Sequence, residues 1–180
     1  MEAMSSNGIV HNLEHVHILS AVRTPIGAYQ KSLANLSPVC LGKEMIFQSH
    51  CKCLSAYFLG ILPSDVDETI FGCVLTACHG QNVARQISIN AGIPVTSPSV
   101  TVNKVCSSSM KAIIMAAQAV QTGYRSVVLA GGTESMSNAF FGVPRADVNA
   151  INANCFVVLL FQTRSFLCVF FAAVQCKNIY

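Results

Sequence analysis

The chain has 180 residues, 52% of them hydrophobic and only 11% charged, with a formal net charge of +3. The length suits one domain with a sizeable core, and a charged share far below the roughly 25% usual for soluble domains points to a largely buried surface or an obligate partner. Lysine and arginine are scattered without a basic patch interleaved with aromatics, which excludes nucleic acid as a partner, and nine cysteines lacking regular spacing or a secretory signal read as reduced thiols.

Residues 1–14 hold two glutamates, no arginine and no apolar run. They read as a flexible N-terminus that is neither signal peptide nor Arg-rich presequence, so the cytoplasm is the expected compartment and the mitochondrion the alternative. His11, His15 and His17 have no cysteine or carboxylate spaced with them as a metal set, and solvated loop histidines are the expectation. His15–Ala21 reads as a strand, closed by Pro25 and Gly27 in Arg23-Thr24-Pro25-Ile26-Gly27. Ser37-Pro38 then opens a helix carrying Leu41, Glu44, Met45 and Gln48, with serine as N-cap and proline at the first helical position.

Phe47–Leu62 is apolar with almost no charge, and its His50, Cys51 and Cys53 do not form a standard zinc spacing. No metal site is assigned. After the polar break Pro63–Glu68, Thr69–Leu75 has the composition of a strand buried on both faces. Gly80-Gln81-Asn82 makes a turn, and Val83–Ala91 a helix stopped at Gly92 ahead of Pro94.

The chemistry concentrates in Thr101-Val102-Asn103-Lys104-Val105-Cys106-Ser107-Ser108-Ser109-Met110-Lys111-Ala112. Alternation through Ser99–Asn103 predicts a strand, and three serines offer N-caps for a helix from about Ser107 to Thr122, with Gly123 as its stop. Cys106 falls where exposed N–H groups and the positive end of a helix dipole favour a thiolate, as a nucleophile requires. A buried structural cysteine fits the same spacing. The helix is hydrophobic nearly all round, which predicts burial, but it is too short and too interrupted to span a membrane. Ser126–Ala130 is a further buried strand ending in Gly131-Gly132, where glycine permits either the approach of a ligand or tight helix–strand packing. Strands near 15–21, 68–75, 99–103 and 126–131 alternating with helices predict an α/β chain with a mixed, mainly parallel sheet.

Asn103–Ala112 resembles the acyl-enzyme cysteine signature of the thiolases. In the family's order stand Arg23–Gly27, Gly80–Gln86, Ala91–Pro94 and Val128–Ala139, which makes five collinear motifs across residues 16–145. Within the family the resemblance is to the acetyl-CoA acetyltransferase (acetoacetyl-CoA thiolase) type. It implies a thiolase-like N-terminal βαβαβαββ layer over residues 15–147. It also implies an acyltransferase in which Cys106 accepts the acyl group from a coenzyme A thioester, the thioester being a substrate and no cofactor being held permanently. Backbone N–H groups near Cys106 and near Gly131-Gly132 are candidate donors to the oxyanion.

The resemblance further implies a catalytic histidine in a Gly-His-Pro element, an asparagine in an Asn-Glu-Ala-Phe element and a second cysteine beside a Gly-rich turn, none of which occurs in these residues. Val83 and Phe140 stand where the family has proline, and Phe47–Leu62 where it has a charged amphipathic helix. Residues 148–180 contain no acidic residue and only Arg164 and Lys177 as cations, so they are expected to be an apolar tail unrelated to the family. Arg164 near the middle of Cys155–Val174 costs about 2.5–3.5 kcal/mol in a bilayer, and membrane insertion is not expected. The combined expectation is a truncated, incomplete acetyl-CoA C-acetyltransferase. It would form a homo-oligomer, or act as an inactive isoform pairing with a full-length subunit.

Overall fold

The structure is a computed structural model describing residues 15–51, 61–139 and 170–175. His11, Cys53, Phe140 and most of the stretch 148–180 lie outside the described residues. The elements run β1 (His17–Val22), α1 (Pro38–Cys51), β2 (Glu68–Gly72), α2 (Val83–Asn90), β3 (Ser99–Val102), α3 (Ser108–Gln121), β4 (Val127–Gly132) and β5 (Phe170–Gln175). The order is βαβαβαββ, but its last strand comes from the stretch 148–180 and not from the residues 15–147 over which that order was expected. Helix α1 starts as the sequence indicates, with Ser37 Oγ accepting the Cys40 N–H at 3.1 Å and Pro38 at the first position. It continues to Cys51, past the Gln48 at which its polar pattern fades.

The sheet order is β1-β5-β4-β2-β3. Strand β2 is parallel to both β3 and β4, whereas β5 lies antiparallel between β1 and β4. No strand was expected at 170–175. There the backbone fills the gap that β1 and β4 leave, and so joins β1 to the sheet.

Two cores flank the sheet because side chains alternate across it with a period of two. Phe71 of β2 and Val127 and Leu129 of β4 face Leu41, Met45, Val83, Ala84 and Ile87 of α1 and α2. Ile70 of β2 and Val128 and Ala130 of β4 face Ala112, Ala116 and Val120 of α3. Each fully buried Phe71, Ile87 or Val83 side chain contributes about 1.5–3 kcal/mol of transfer free energy.

Helix α3 departs from its expectation of burial on all sides. Its buried stripe is Ser108, Ala112, Ala116 and Val120, while Met110 is 65% and Ile114 44% exposed. An all-apolar helix needs protein on every face to be buried, and α3 has the sheet on one face alone among the described residues. The start of α2 and the stops after α2 and α3 match their signals. Asn82 caps α2 through Oδ1, which accepts the Arg85 N–H at 3.1 Å, and Gly92 and Gly123 take positive φ just past α2 and α3.

Candidate active site

The C-terminal ends of β2, β3 and β4 converge on the N-terminus of α3, and Cys106 sits in the turn that joins β3 to it. That turn is held by its own side chains. Ser108 Oγ accepts the Lys104 N–H at 2.8 Å and donates to the Val105 carbonyl at 2.6 Å. Asn103 Oδ1 accepts the Val105 N–H at 3.0 Å, and its Nδ2 donates to the Val74 carbonyl at 3.3 Å. The serines were expected as N-caps. Ser107 occupies the N-cap position without a side-chain cap bond, and Ser108 works backwards on the turn instead.

Val105, immediately before Cys106, has φ 51°. A β-branched residue in the left-handed region costs about 1–2 kcal/mol, and strain of this kind persists only where surrounding bonds impose it. Here Asn103 and Ser108 impose it. Among the described residues nothing buries Cys106, which is exposed.

Opposite the turn lies the segment that follows β4. The Glu134 carboxylate accepts the Val74 and Leu75 N–H groups at 2.9 and 3.0 Å and lies 3.7 Å from Cys73 Sγ. Burial, and then the neighbouring Glu134 charge and its hydrogen bond, push the Cys73 thiol from 9.0 up to about 12. Cys73 therefore stays protonated and is no nucleophile, although it lies near the same strand ends as Cys106. Thr133 Oγ1 donates to the Pro38 carbonyl at 2.8 Å, Ser135 Oγ to Leu36 at 2.8 Å, and Asn138 Nδ2 to Ala34 at 2.7 Å. This one segment thus fixes both the loop after β2 and the loop before α1. The Thr133 N–H itself donates to the Gly72 carbonyl at 2.9 Å, so it is committed to the sheet.

The motif at 80–86 is also a set of ties. Gln86 Nε2 donates to the His79 and Gln81 carbonyls at 2.8 and 2.9 Å, and Arg85 donates to the Ser97 and Val95 carbonyls at 2.6 and 2.7 Å. Of the two readings of Gly131-Gly132, close packing holds at Gly132, where a Cβ would strike the Ser109 side chain. Residue types had not assigned Glu134 a role. The available signal was a carboxylate just past a buried strand in a chain with only eight acidic residues.

A family model described as thiolase, N-terminal domain, matches residues 16–159. The chain belongs to the thiolase family. Among relatives, the cytosolic acetyl-CoA acetyltransferase ERG10 of Gibberella zeae is 49% identical over 127 residues, covering 71% of this chain and 31% of its own. The acetyl-CoA acetyltransferase of Schizosaccharomyces pombe is 45% identical over 139 residues, covering 77% and 34%. The crystal structure of Acat5 thiolase from Ascaris suum in complex with coenzyme A is 55% identical with TM-score 0.67, covering 72% of this chain and 32% of that one. The chain spans about a third of the length of the curated relatives it matches. The matched part is a mixed α/β layer in which β2 has a parallel neighbour on each side.

Proposed function

We propose that this thiolase chain carries the acyl-accepting step of an acetyl-CoA C-acetyltransferase, with Cys106 as the nucleophile. The observation that supports it most is an exposed cysteine in a strained, side-chain-braced turn at the N-terminus of α3, within the segment that resembles the thiolase cysteine signature. The Cys106 sulfur bonds to the acyl carbon of acetyl-CoA, the carbon–sulfur bond to coenzyme A breaks, and coenzyme A leaves as its thiol with the proton that the cysteine gave up. Coenzyme A thioesters are substrates in this reading, and no resident cofactor is needed. In the full reaction a second acetyl-CoA takes the acyl group to give acetoacetyl-CoA, and thiolysis is the reverse.

The same reading gives the chain a partner. Strand β3 is the edge of the sheet, and Val100, Val105, Met110 and Ile114 around it are exposed. An unpaired edge bordered by apolar side chains favours pairing with another chain. A second copy, or a longer thiolase subunit, fits there. Cytosolic residence follows the name of the Gibberella zeae relative.

Incubation with acetyl-CoA followed by intact-mass measurement should add one acetyl group, and Cys106→Ser should abolish it. Absence of the adduct from the folded wild-type chain sinks the proposal. With acetoacetyl-CoA and free coenzyme A no turnover is expected, because the Gly-His-Pro and second-cysteine elements of the family do not occur in these residues; sustained turnover would mean that other groups here serve as the base.

A further inference from the structure

We infer that Gly72 and Gly132 form a glycine seat that positions the N-terminus of α3, and with it the turn that carries Cys106. The inference rests on the acyl-transfer reading for its functional meaning and on geometry alone for its existence. Gly72 and Gly132 are register partners on the neighbouring parallel strands β2 and β4, and both end their strands. Strand alternation puts them on the α3 face, in line with Ile70 on β2 and with Val128 and Ala130 on β4. Side-chain size on that face therefore shrinks to nothing toward the Cys106 end. The facing stripe of α3 is small at the same end, where Val120 gives way to Ala116, Ala112 and Ser108. Glycine on the sheet and small residues on the helix bring the first turn of α3 hard against the sheet.

The contacts are tight enough to specify that position. A Cβ on Gly72 would meet the backbone of α3 itself, at Ser108 C and at Ser109 N (2.5 Å), and lie 2.8 Å from Ser108 Cβ. A Cβ on Gly132 would meet Ser109 Oγ and lie 2.7 Å from Ser109 Cβ. The two glycines thus act mainly through different atoms, Gly72 through the helix backbone and Gly132 through the Ser109 side chain, with the Gly72 carbonyl at 3.2 Å as its lesser contact. Ser108, whose hydroxyl braces the Lys104–Val105 turn, sits directly on this seat. Raising the first turn of α3 moves that brace and the helix N–H groups relative to Cys106. Gly72 and Gly132 are positioning residues that touch no substrate.

The difference in contact atoms provides the test. Cys106 alkylation by iodoacetamide is followed in the full chain by peptide mass, with the exposed Cys40 and Cys78 as internal references. Gly132→Ala should slow Cys106 about twofold or more relative to those references, because the turn that carries it is displaced from the first helix N–H groups. Adding Ser109→Gly should restore the rate, and Ser109→Gly alone should leave it near wild type. Gly72→Ala should slow Cys106 as well, but Ser109→Gly should not rescue it, because the clash is with backbone.

An unchanged Cys106 rate in folded Gly132→Ala overturns the seat, as does a loss at all three cysteines that Ser109→Gly does not repair. If Gly132→Ala fails to fold, recovery of the fold by Ser109→Gly supports the seat and failure to recover overturns it. Acetylation by acetyl-CoA is measured in parallel. A wild-type chain that is never acetylated refutes the acyl-transfer reading, while the alkylation cycle still decides the geometry.

Discussion

Cys73 and Cys106 lie near the same strand ends, and their surroundings separate their chemistry. Cys73 is 1% exposed beside the Glu134 carboxylate, so ionising it would place a second negative charge in a desolvated site. Cys106 is exposed in the turn just before α3. The raised Cys73 value has a consequence for stability. Below pH 9.0 the thiol is protonated in both the folded and the unfolded chain and contributes no pH dependence. From 9.0 toward about 12 the unfolded chain releases this proton while the folded chain keeps it, so stability falls as pH rises. Urea titrations at about pH 8 and about pH 10.5 should show a steeper loss in wild type than in Cys73→Ala. Equal losses in the two proteins would remove Glu134 and burial as the cause.

At the scale of elements, much of the order at both ends of β2 and β4 is supplied by side chains rather than by the ladder. Glu134 satisfies two consecutive N–H groups of the loop after β2, and Asp67 Oδ2 does the same for Ser126 and Val127 at 2.7 and 3.0 Å at the start of β4. The Glu68–Arg125 ion pair at 2.9 Å adds a further tie between those strands. Hydrogen bonds to a charged acceptor contribute about 1.5–3 kcal/mol each when shielded, and Glu134 is half-buried. Glu134→Ala should therefore cost about 2–3 kcal/mol in urea unfolding, with Glu134→Gln near half that because its one oxygen keeps one acceptor. Hydrogen exchange at the Val74 and Leu75 amides should accelerate in the alanine variant before global unfolding is reached. Protected amides there would show that other groups hold the loop.

For the whole molecule, β1 and β3 are the two edges of the sheet among the described residues. The β3 edge is flanked by Val100, 39% exposed, and by Met110 and Ile114 of α3. Covering such a face removes about 25 cal/mol of unfavourable hydration per Å² of apolar surface, which favours association over exposure. Sedimentation should show a species larger than the 19.2 kDa monomer, and Met110→Lys with Ile114→Lys should shift it to monomer. A wild-type monomer at high concentration would overturn pairing through this face. Among the described residues no helix is long and apolar enough to cross a membrane.

What could be read from residue types and what could not follows from the range of the forces involved. Local signals carried the order and most boundaries of the elements: Ser37-Pro38 starting α1, Asn82 capping α2, Gly92 and Gly123 ending helices, and buried runs for β2 and β4. They depend on neighbours within a turn or two, so the chain alone specifies them. The family was legible for the same reason, since Asn103–Ala112 and its four companion motifs are contiguous stretches. Glu134, Gly72 and Val105 were not legible. Glu134 reaches across 59 and 60 residues to its partners, Gly72 matters because Ser108 and Ser109 come down on it, and Val105 is strained by Asn103 and Ser108 only once the turn has closed. Nor could composition distinguish an α3 buried all round from one with Met110 and Ile114 left open, because burial belongs to what packs against a helix and not to the helix. Sequence determined that a cysteine would stand between a strand and a helix; packing of the first turn of α3 on Gly72 and Gly132 decided where at the sheet's end it would be held.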